Sequence, residues 1–165
     1  MIRKPSRRLI ALVGLLVACG AGSSLEGSLS DEASLVFDQV QVQHSPSAVA
    51  VVYLKSLPAG GGNDTVLKVV ANTTGLDVTK GISIDLAEAL GSGVRGSVTR
   101  AVSTDTRRDF PPLVRGRINF DGGVAAGAKV SGSFTVTFSS SGGGSIGVGK
   151  TAFGDFSATV TEAGQ

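Results

Sequence analysis

The segment whose residue types and spacing most suggest chemistry is Gly144-Ser-Ile-Gly-Val-Gly149-Lys150-Thr151, which fits the spacing G-x-x-x-x-G-K-[ST] at every fixed position. In a phosphate-binding loop the glycine backbone N–H groups cradle the phosphates, the lysine neutralises them, and a helix follows whose N-terminus faces the anion. Here Ala152-Phe-Gly-Asp-Phe156 contains a glycine and runs into alternating Phe156, Ala158 and Val160, which reads as a strand. No second βαβ unit accompanies it, as a parallel α/β sheet would require. Gly144, Gly149, Lys150 and Thr151 are therefore read as a glycine-rich hairpin, and no nucleotide is expected. His44 is the only histidine and sits in polar Gln43-His-Ser-Pro-Ser, read as a surface loop between strands. Nothing nearby builds the environment of an activated nucleophile. One histidine and one cysteine cannot supply the usual four zinc ligands. Asp64, Asp105, Asp109 and Asp121 lie in or near expected loops, but no calcium-loop spacing occurs. No metal, no cofactor and no enzymatic activity are expected.

The basic residues are more concentrated. Arg95, Arg100, Arg107, Arg108, Arg115 and Arg117 fall within one short stretch whose only acids are Asp105 and Asp109. Arg115 and Arg117 share one face of an expected strand. Arg100 has the parity of Val98 and Val102, so it either ends a buried face or sits on an exposed edge. Such a patch, with Arg100, Arg107, Arg108, Arg115 and Arg117 as its members, suits lipid head groups or lipopolysaccharide phosphates. The plainer reading is a solvated sheet face, or charges that keep edge strands from pairing with other chains. The chain has no Trp and a single Tyr, Tyr53, inside an apolar run. That is poor equipment for stacking sugars or unpaired bases, so no nucleic-acid partner is expected.

Chemistry of another kind is written in the first twenty residues. Met1 to Arg8 carries Arg3, Lys4, Arg7 and Arg8 without an acid, and Leu9 to Ala18 is uncharged. A basic segment followed by a short apolar run is the layout of a secretory signal, and a run of about ten residues is half of what a membrane-spanning helix needs. The run ends in Leu16-Val17-Ala18-Cys19-Gly20, with small Ala18 before the only cysteine. This resembles the lipobox of bacterial lipoproteins. The resemblance covers residues 1–20. It implies cleavage between Ala18 and Cys19, a thioether from Cys19 to diacylglycerol, and acylation of the freed amine. It also implies an exported chain held on a membrane by lipid. The absence of Asp after the cysteine favours the outer membrane, by similarity to enterobacterial lipoproteins.

Removing that segment changes the charge. The whole chain has 15 basic and 13 acidic residues; the first eighteen take four basic ones and no acid, leaving a net charge of −2. A basic balance belongs only to the precursor and is no argument for nucleic acid. Residues 1–18 are thus read as signal peptide, 19–31 as lipidated N-terminus and small, polar tether, and 32–165 as one domain. No disulfide can brace it, since the sole cysteine is committed to lipid.

The domain alternates. Val130, Gly132, Phe134, Val136 and Phe138 share one face against Lys129, Ser131, Ser133, Thr135 and Thr137. The same period-two pattern runs through Ile82–Leu86, Val94–Val102, Val114–Phe120 and Phe156–Val160. Ala48–Leu54 and Val66–Ala71 are nearly continuous apolar runs, as in strands covered on both faces. Leu35 and Phe37 have one parity and Val40 and Val42 the other, which marks a bulge or turn at Asp38-Gln39. Glycine- and proline-rich segments punctuate these runs, so the expected fold is all-β, an antiparallel sandwich of about eight to ten strands. The expected role is a non-enzymatic module that binds an envelope protein or supports an envelope structure. Binding of an anionic envelope component through Arg95–Arg117 is the alternative, and a carboxylate-based hydrolase ranks last.

Overall fold

The computed structural model describes residues 22–164. Ala18 and Cys19, with the whole signal segment, lie outside the described residues. Ten strands form: β1 (Gln39–Ser45), β2 (Ala48–Ser56), β3 (Asn63–Asn72), β4 (Ile82–Asp85), β5 (Ala89–Leu90), β6 (Gly93–Val94), β7 (Gly96–Ala101), β8 (Leu113–Phe120), β9 (Lys129–Phe138) and β10 (Thr151–Glu162). The all-β fold follows from the alternation, which β7, β9 and β10 keep throughout. In β7 the pattern is strict, with Gly96, Val98 and Arg100 inward and Ser97, Thr99 and Ala101 outward. β2 is buried on both faces. Its inward residues Val49, Val51 and Tyr53 join the main core, while outward Ala50, Val52 and Leu54 form a second apolar stripe with Val70. Cross-strand neighbours Gln41, Gln43 and Lys68 flank that stripe, and Lys68 Nζ donates to Gln43 Oε1, so long aliphatic stems cover it.

Eight strands make one sheet in the order β4-β8-β9-β10-β1-β2-β3-β7, with β5-β6 as a separate ribbon. The sheet consists of two antiparallel four-stranded halves, as a sandwich would, but the halves are joined. The join is a parallel pairing of β1 with β10 over only Val42–His44 and Val160–Glu162. The sheet curls until its outer edges nearly meet. There Leu86, fully buried just beyond β4, donates from its N–H to the Gly116 carbonyl of β8 and accepts from the Gly96 N–H of β7, at 2.8 and 2.7 Å. The result is a nearly closed barrel with Tyr53, Phe134, Phe138 and Phe156 in its core.

Above the short parallel seam the halves diverge, and the N-terminal segment fills the opening. Ser24 and Glu26 donate their N–H groups to the carbonyls of Asp155 and Phe153, and Phe153 N–H donates back to Glu26. A 3-10 turn follows at Ser28–Asp31, with Leu29 completely buried. Residues from Ser24 to Asp31, expected as tether, are therefore part of the folded domain. The small polar residues disguised this because the attachment is made through the backbone. Gly154 is required at this place: a Cβ would strike the Ser24 carbonyl, and the Tyr53 hydroxyl lies 3.0 Å from that position. That hydroxyl donates to the Asp155 carbonyl at 2.9 Å, and the Tyr53 ring stands edge-on to Phe37.

Two other expectations are corrected. Val114 was expected inward with Gly116 and Ile118, but a register shift between Leu113 and Arg115 turns it outward and buries Leu113 instead. The bulge inserts one residue and so reverses parity upstream of it. His44 was expected in a loop, yet it lies within β1, opposite Val49 on one side and Glu162 on the other. The turn comes later, at Pro46-Ser47, where the proline ends the ladder.

Two measurements test this packing. Replacing Leu29 by Ala should cost about 2–5 kcal/mol in urea unfolding, the usual range for a buried leucine, whereas a tether residue would cost nothing measurable. Burial, aided by the Asp155 charge, holds the Tyr53 phenol far above its ordinary value. A raised folded pKa means stability is intact below about pH 10 and declines as pH rises beyond it. Tyr53 is the only tyrosine, so the phenolate absorbance band should appear only together with loss of the β circular dichroism signal. A phenolate band rising near its ordinary pH with the β signal unchanged would contradict the burial.

Candidate functional site

The strand ends gather the polar chemistry at one end of the barrel. β2 finishes there, β3 begins there, and β7 finishes there, bringing together Lys55, Asp64 and Arg100. Residues Glu32–Val36 cross this end on their way from the 3-10 turn to β1, and the loop after β7 brings Ser103, Asp105 and Arg107. Between them is a cleft of about 420 Å³. Its apolar surface comes from Val36, Leu57, Pro58, Val66 and Val102, and Val36 is 64% exposed. A concave site with apolar walls and a few converging polar groups is the usual form of a small-molecule site.

Arg100 is the unusual member. It points inward from an edge strand and is only 5% exposed. Its Nη1 donates to two carbonyls, Val66 at 2.9 Å and Ser34 at 3.2 Å, so it pins the N-terminal segment to β3. Its Nε is buried and has no hydrogen-bond partner; Asp105 Oδ2 stands 3.8 Å away, too far for a bond. Burial lowers the Arg100 pKa, with Asp105 acting in the opposite sense. An arginine remains protonated under such a shift.

The acids around it are already occupied. Asp105 accepts from both Nε and Nη2 of Arg107 at 3.1 Å, and those bonds hold its carboxyl below the ordinary range. Arg107 Nη2 also donates to the Glu32 carbonyl at 2.7 Å. Asp64, 7% exposed, accepts from the N–H and hydroxyl of Ser103. Glu32 Oε2 accepts from the Gly147 N–H. Lys55 and Asp64 are cross-strand partners, yet no ion pair forms between them.

The arginines of the sequence do not form one face. Arg100 and Arg107 line the cleft, and Arg108 is close by, its Nη2 donating to the Val102 carbonyl. Arg115 and Arg117 lie on β8, lining a separate depression of about 290 Å³ with Asp85. Arg95 is buried and spent on Glu88 and on the carbonyls of Asn72 and Thr74. The phosphate-loop spacing leads directly into β10, and Lys150 Nζ is held by Asp31 at 3.0 Å. Of the aspartates weighed as ligands, Asp64 and Asp105 reach the cleft, while Asp121 accepts from Ser131 and the Asp109 carbonyl accepts from the Ser145 N–H. Among the described residues no three His, Cys, Asp or Glu side chains gather as a metal site. Comparison with protein-family models, curated proteins and solved structures finds no match to this chain.

Sequence reasoning singled out Arg100 and Arg107 but missed Lys55 and the chain crossing at Ser34. No local signal joins residues so far apart. Replacing Arg100 by Met should keep the apolar stem and remove the two carbonyl bonds. The expected loss is about 1–3 kcal/mol in denaturant unfolding, with increased amide exchange at Ser34–Val36; unchanged exchange there would mean that the bond to Ser34 does not hold the crossing.

Proposed function

We propose that this protein is an exported lipoprotein, anchored through lipid on Cys19 in the cell envelope, on the outer membrane, and that it acts by binding rather than by catalysis. The observation that carries this reading is the Leu16-Val17-Ala18-Cys19 sequence after a basic segment and a short apolar run; the attachment of the N-terminal segment to β10 bears on how such an anchor would hold the domain. The Ser157 N–H donates to Ser23 Oγ, so the chain preceding Ser24 runs alongside β10 toward the C-terminal end of that strand. Cys19 precedes Ser23 by four residues, which span at most about 14 Å when fully extended. A lipid on Cys19 would thus hold the domain close to the bilayer by the barrel end that carries the Pro46-Ser47 turn. The Arg100 cleft lies at the other end of β2 and would face away from that bilayer. A short leash with a site aimed outward suits a module that meets a component of the envelope beyond its own membrane, whether an envelope protein or an anionic molecule.

The separation of the arginines bears on the second possibility. Arg115 and Arg117 do not share a surface with Arg100, so an anionic component would be met at Arg100 and Arg107.

The anchor is tested by replacing Cys19 with Ser. The variant should leave the membrane fraction or accumulate as an uncleaved precursor, while the wild type carries the added mass of its acyl chains. A wild-type protein that is soluble and of unmodified mass would overturn the reading.

A further inference from the structure

Polar groups in the Arg100 cleft are unevenly spent. Its three carboxylates, Glu32, Asp64 and Asp105, each accept hydrogen bonds from neighbouring N–H groups. Its donors are not all used. Among the described residues Arg100 directs only Nη1 at carbonyls, its buried Nε makes no hydrogen bond and is faced only by the Asp105 carboxylate at 3.8 Å, and Lys55 forms no ion pair. A buried donor without a hydrogen bond is costly, and a bound acceptor would recover that cost. The Nε and Nη2 groups of a guanidinium form one edge of its fork, the edge that receives a carboxylate or phosphate through two parallel bonds. In Arg100 this edge makes no hydrogen bond, and the Asp105 carboxylate stands 3.8 Å from its Nε.

We infer that the cleft is a binding site for a small amphipathic anion, whose carboxylate or phosphate sits on the Nε–Nη2 edge of Arg100 within reach of Lys55 and whose apolar body lies against Val36, Leu57 and Val102. Asp105 sets a limit on its charge. That carboxylate stands 3.8 Å from Arg100 Nε and is held in place by Arg107, so it repels a second anion and favours a single negative charge over two. The apolar body is required because three cations and three carboxylates line the cleft and leave no net charge to attract a bare ion. This inference stands apart from the lipid anchor and does not require it.

The test uses the full chain, with the Arg Nε–H resonances followed by NMR. The probes are hexanoate, hexyl phosphate, inorganic phosphate and hexanol. Saturable movement of the Arg100 Nε–H resonance with hexanoate or hexyl phosphate is expected, with at least tenfold weaker effects of inorganic phosphate and hexanol. Whichever of the two hexyl anions binds more tightly identifies the head group. Lys55 is exposed at the rim, so Lys55→Ala should keep the fold while weakening binding severalfold. No saturable movement with either hexyl anion would overturn the inference. So would an equal response to hexanol, or binding that Lys55→Ala leaves unchanged.

Discussion

The fold depends on how two half-sheets are joined where their own strands do not suffice. The parallel contact of β1 with β10 covers three residue pairs, too few to hold two four-stranded halves together. The rest of the join comes from the N-terminal segment, whose Ser24 and Glu26 complete the ladder along β10 and whose Leu29 seals the gap above it. Tyr53 ties the same place from inside by donating to the Asp155 carbonyl that Ser24 also uses. On the far side Leu86 performs the matching closure between β8 and β7. One wall is thus closed by a borrowed segment and the other by a single residue.

That arrangement produces the cleft. The segment that seals the seam must still reach β1, so Glu32–Val36 crosses the barrel end. The crossing carries carbonyls that need donors. Arg100 and Arg107 supply them, at Ser34 and Glu32 respectively. An inward-pointing arginine on an edge strand also discourages pairing with another chain. The same residue therefore fixes the crossing, guards the edge and leaves part of its guanidinium unspent.

Much of the fold was legible in the sequence because burial on one face imposes a period of two. β9 is the clearest case: four of its five inward residues are buried as the alternation requires. Where legibility failed, a backbone event had intervened. One inserted residue at Val114 reversed the parity that Gly116 and Ile118 announce correctly. β10 extends back to Thr151, upstream of the alternation that begins at Phe156, because the place of Gly154 and Asp155 is dictated by Tyr53 and Ser24, distant in sequence. The N-terminal segment looked like a linker because backbone bonds leave no trace in residue type beyond Leu25 and Leu29. At the site, the parity of Arg100 posed the right alternatives, buried or edge, and the structure shows both at once. The cleft itself was illegible, since Ser34, Lys55, Val66 and Arg100 meet only after the sheet has curled.

The joining of Ser24 to Asp155 links residues 131 apart in the sequence. The wall cannot be completed until the last strand has emerged, whatever the other strands have already formed. Such a chain folds late and as a whole, since long-range closure must precede the contacts that reward it. It would remain open along the seam while its C-terminal part was still being synthesised. A wall built in this way cannot lock before both ends of the chain are present.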